Sequence, residues 1–318
     1  MRINEAKQRS AQSFEERLAD ELARGGALVA SSGTVLRHLL ANDDYLLFSE
    51  EVVARIRGML THVARQLLFA EAEGAESVDR ADYAQQRQGV LAGQLAQHET
   101  LLRHVHALAF ESLLITRLAQ RHDIDGVVVP LLENCAAAPD DELAGLAMTA
   151  LAAQARFLQQ QKRMELPLSE LPGEMFHQAV LTLEEHGDSA SAARAASGLR
   201  DQFEEGETRF ALLAKLVMSM QGAPSDWLSI EKSGLSLFVT LLAIDGGYDR
   251  DDVLLACSET QTMRLQLMLR AADMHANDIA AQLRLIHGDS DDDTQIGMLT
   301  PDHCRDLLAA LAREQNSS

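Results

Sequence analysis

The chain has 318 residues, 47% of them hydrophobic but only 4% aromatic, so a core of Leu, Ala, Val and Met is implied, large enough for two domains or one extended helical array. Its formal charge is −20, unevenly spread: 17 basic against 23 acidic side chains in 1–165, and 11 against 25 in 166–318. Such a field repels phosphate backbones and anionic lipid, which argues against direct nucleic-acid or membrane-surface binding.

Cys135, Cys257 and Cys304 are odd in number, far apart and without a CxxC, which suits a reducing compartment. MRINEAKQRSAQSFEERLADEL lacks the apolar run of a signal peptide, and no stretch reaches the ~20 apolar residues of a membrane span. A cytoplasmic protein is expected.

In chain order, Phe14, Leu18 and Leu22 recur at helical spacing before Gly25-Gly26, and a second helix covers about Thr34 to Ala41. Ser49 is a candidate N-cap for a stripe running through Val52, Ile56, Met59, Leu60, Val63, Leu67 and Leu68. No proline occurs before Pro130. The periodicity therefore favours one long helix over about Asp79 to Arg121, pairing antiparallel with its predecessor; the alternative is a break near Gly93, since Gly89 and Gly93 are weak points. Asp125 is expected to cap a helix through GVVVPLLENCAAA, and Asp140 or Asp141 another that ends near Lys162. Gln154 falls on the apolar stripe of that helix; a buried amide there would fix helix register or belong to a polar binding strip.

LPLSELPG, residues 166–173, is the clearest joint. Helices follow at about 174–186, 189–203 and 207–221. Four short amphipathic helices come next, built on GLSLFVTLLAI, YDRDDVLLACSE, TQTMRLQLMLRAADM and ANDIAAQLRLIHG. None is stable alone, so each must bury its stripe on a neighbour. Thr300-Pro301-Asp302 starts a last helix. The resulting expectation is an all-α protein with an N-terminal helical hairpin (1–122), stacked short helix pairs in a HEAT-like or irregular array (123–287), and an acidic loop with a C-terminal helix (288–318).

Candidate chemistry is sparse. In GDSDDDTQIG, Asp289, Asp291 and Asp293 take the first, third and fifth places of a calcium loop, but Thr294 replaces its glycine and Thr300 its bidentate glutamate. An acidic linker explains the same letters. His98, His104 and His106 are six and two residues apart, which does not place metal ligands on one helical face. HETLLR begins like a phosphoacceptor histidine box at His98 without the rest of one, and a satisfied histidine between Leu95 and Leu102 is the plainer reading. No phosphate-binding glycine loop and no nucleophile elbow is present. Asp245, Asp249, Asp251 and Asp252 read as a helix stop followed by a cap and an acidic first turn. Methionines enrich the C-terminal half, as gap-filling core or as a pliable groove.

Residues 147–172, AMTALAAQARFLQQQKRMELPLSELP, and 237–274, LFVTLLAIDGGYDRDDVLLA to LMLRAADM, resemble an uncharacterised all-helical family of alphaproteobacteria over about 124–287. The resemblance implies a repeat-like helical fold and brings no activity or catalytic residue with it.

The function expected is a non-enzymatic scaffold or regulator without cofactor or metal, its acidic half selecting another protein with a basic surface. Asp249, Asp251, Asp252, Met263 and Met268 are its candidate partner-binding residues, and homo-oligomerisation is left open. The alternative is a signalling protein switched by phosphorylation at His98 or by calcium at 289–293.

Overall fold

The computed structural model describes Leu18, Leu22 and residues 50–73, 79–220, 226–258, 261–288 and 294–315. Expectations for Phe14, Gly25-Gly26, Thr34–Ala41, Ser49 and the 289–293 acidic run lie outside these residues. Within them the protein is all-α, with thirteen α-helices and no strand. No helix among the described residues is long and apolar enough to cross a membrane.

Helix α1 (Glu50–Glu73) and α2 (Arg80–Leu95) form the expected hairpin, packed along each other. The single long helix over 79–121 is not what forms. The chain breaks at Ala96–His98 and restarts as α3 (Glu99–His122), with His98 extended at its N-cap. Gly89 and Gly93 themselves stay helical, and the break falls just beyond Gly93. The break is held from outside, because His98 Nε2 donates to Thr182 Oγ1 (2.8 Å) and Thr100 Oγ1 to Gln178 Oε1 (3.0 Å).

Asp125 does not cap a helix as expected: its Oδ1 accepts from Val127 N (2.6 Å) and Val128 N (2.8 Å), in a turn that precedes the helix. The helix starts only at Pro130, as α4 (Pro130–Ala136), with Val129 extended. A residue before proline avoids the helical region, and β-branched valines tolerate extended backbone well. Asp140 caps α5 (Asp141–Lys162).

The 166–173 segment is a strap rather than a loose joint. Leu166, Leu168 and Leu171 are buried, while Gln66 of α1 donates to Leu166 O (2.9 Å) and accepts from Leu168 N (3.0 Å). Helices α6 (Gly173–His186), α7 (Ser189–Gln202) and α8 (Arg209–Ser219) follow. The four short helices come next: α9 (Ile230–Gly246), α10 (Arg250–Ala256), α11 (Thr262–Ala271) and α12 (Ala276–His287). Helix α9 changes direction at Gly234 (φ 66°) and stops at Gly247 (φ 65°), a left-handed conformation that favours glycine. Helix α13 (Pro301–Gln315) closes the described chain, with Thr300 Oγ1 accepting from His303 N (3.3 Å).

Helix α3 is the axle of this arrangement. It packs against α1, α5, α9, α10 and α12, and one continuous core runs from Leu18 to Leu308. In a solenoid each repeat touches only its neighbours in sequence. Here α3 reaches elements far along the chain, so the helices before 122 and those after it share one core.

Candidate functional site

The densest chemistry in the protein lies where α3, α5, α8, α9 and α10 meet. Glu111, on the α3 face that also carries Leu108 and Ile115, has no exposed surface. Arg209, the first residue of α8, is brought there by its helix start: Thr208 Oγ1 accepts from Ala211 N (3.2 Å) and Glu170 Oε2 from Arg209 N (2.9 Å). Arg250 likewise begins α10, behind the Asp249 cap.

Both guanidiniums grip the same carboxylate by two bonds. Arg209 donates to Glu111 Oε1 (2.9 Å) and Oε2 (2.8 Å); Arg250 donates to Oε1 (2.7 Å) and Oε2 (3.2 Å). Ser236 Oγ adds a bond to Oε1 at 2.6 Å. Gln154 completes the polar shell, donating to Ser236 Oγ (2.8 Å) and Gly126 O (2.9 Å) and accepting from Arg209 (3.0 Å). Arg209 also stacks on the Phe157 ring at 3.7 Å, and Phe210 is flanked by Arg209 and Arg250 at 4.5 and 4.4 Å. Bidentate pairing and stacking on aromatic faces both use the planar guanidinium, which lysine lacks.

Burial by itself would raise the Glu111 carboxyl. The charges and hydrogen bonds of Arg209 and Arg250 override it and hold the group well below the ordinary carboxylate value. Nearby Cys257 is pushed up to about 12, chiefly by burial, and so stays a thiol. The Glu111 carboxylate accepts five hydrogen bonds and has no surface for a substrate to reach, so the arrangement locks helices together.

Its neighbour is a clamp between α3 and the first turn of α10. Asp251 Oδ2 pairs with His104 Nδ1 at 2.7 Å, and Asp252 bonds Arg103. The His104 ring meets the edge of Phe210 at 5.4 Å, and its Nε2 is buried without a hydrogen-bond partner. Residues 250, 251 and 252 thus each grip α3.

The five candidate partner-binding residues are not brought together on one face. Asp251 is 8% exposed and Met268 1%, so both belong to the interior, because α10 and α11 turn those positions toward the core. Asp252 is half-buried on Arg103 and 3.8 Å from Arg264; Met263 is half-buried; Asp249 is exposed and caps α10. His98 is a half-buried helix cap rather than an exposed mid-helix imidazole. His106 is part-buried, and burial pushes it down to about 4. Among the described residues no group of three or more His, Cys, Asp or Glu is placed to hold a metal ion.

Gln154 was legible as an odd polar residue on an apolar stripe. Glu111 offers the same signal between Leu108 and Ile115 and was missed, whereas Arg209 and Arg250, at helix starts, offer none. No family model matches the chain, and no curated protein or solved structure matches it either.

Proposed function

We propose that the protein is a non-catalytic interaction module, a scaffold or regulator that binds another protein through its helical surface. The observation that carries this reading is how charge is sorted in the C-terminal third. Asp245, Asp249, Asp273, Asp278, Asp302 and Asp306 are exposed. Several arginines of the same region turn inward instead: Arg250 onto Glu111, Arg264 toward Asp252, and Arg270 onto the carbonyls of Leu299 (2.9 Å) and Met274 (3.3 Å). Arg284, Arg305 and Arg313 stay exposed, Arg305 pairing with Asp273 (3.3 Å) and Asp302 (2.6 Å), and the surface left is still acidic. Such a field speeds encounter with a basic partner and repels acidic ones. All three cysteines are buried free thiols, in keeping with the cytoplasm as its compartment.

Affinity purification of tagged wild type against an Asp249→Asn/Asp252→Asn variant, read by quantitative mass spectrometry, tests this. Basic proteins should be retained by the wild type and depleted about tenfold with the variant, provided its thermal melt is unchanged. An identical retained set would count against the reading.

A further inference from the structure

We draw no further inference here: the strongest candidate, the groove along the α1–α2 hairpin beside Arg65 and the exposed Phe69, carries nothing because nothing in the structure shows what covers it.

Discussion

Glu111 is held between two arginines at a point without solvent, and the balance of that arrangement is measurable. Removing one member of a buried ionic group leaves the others charged and unpaired, which costs about 3–5 kcal/mol. Glu111→Gln is therefore expected to lower the urea midpoint by an amount equivalent to about 3 kcal/mol or more. A simultaneous apolar replacement of Glu111, Arg209 and Arg250 should cost much less, because no charge is stranded. The pH dependence has a definite sign. The Glu111 carboxyl lies below its ordinary value of 4.5 in the folded protein, so its stabilisation is fully present above that pH and is lost as pH falls below it. His106, depressed from 6.5 to about 4 by burial, acts in the same direction over a higher window: the unfolded chain takes up a proton that the folded one refuses, so stability falls from about pH 6.5 down to 4. Urea titrations at stepped pH should show Glu111→Gln removing the lower part of this loss and leaving the upper part. At this scale Gln154 was readable because an amide on an apolar stripe is anomalous. The arginines were not, since a charged residue in a first helical turn is ordinary until something buries it.

Helix ends divide into those written locally and those finished by distant residues. Asp79, Asp140, Asp249 and Thr300 cap the helices that immediately follow them, and each is recognisable from its position before an apolar run. Four other helices borrow an acceptor. Gly173 N of α6 donates to Glu205 (2.9 Å), Asp188 N at the start of α7 to Glu71 (2.6 Å), Arg209 N of α8 to Glu170 (2.9 Å), and Ile230 N of α9 to Gln282 (2.9 Å). Glycine makes two of these approaches fit: a Cβ at Gly173 would stand 2.8 Å from Glu205 Oε2, and one at Gly187 would stand 2.7 Å from Glu71 Oε1. Tyr83, beside Glu71, is raised to about 12, by burial first and then by that carboxylate. Loss of a cap costs about 1–2 kcal/mol. Glu71→Ala should accordingly destabilise the protein by that amount and speed hydrogen exchange at the first turn of α7, with Glu71→Gln, which keeps an acceptor oxygen, recovering part of both. Equal exchange in wild type and Glu71→Ala would contradict the assignment. The break between α2 and α3 belongs to the same category, for its bonds come from Thr182 and Gln178 on α6, and the local letters favoured continuing the helix.

Across the whole molecule, the burial of α3 on nearly every side ties residues before 122 to residues after it. A fragment ending at 122 would leave exposed the α3 face that α5, α9, α10 and α12 cover. Such a fragment, 1–122, should therefore show weak chemical-shift dispersion and no cooperative melt, whereas the full chain should unfold with one main transition; a folded fragment would support the expected boundary at 122/123. The sequence by itself determined the helical class, most helix positions after 139, several local caps, the helix stop at Gly247 and the helix start at Pro301. These depend on spacing, proline, glycine and short polar side chains acting within a few residues. Only the tertiary structure decided that α3 is central, that the strap at 166–173 is pinned to α1, and that Arg250, Arg264 and Arg270 turn inward. It also decided that Glu111 holds Arg209 and Arg250 from 98 and 139 residues away. Interactions at such separations have no local periodicity, so they come into being only when packing removes the water between their partners.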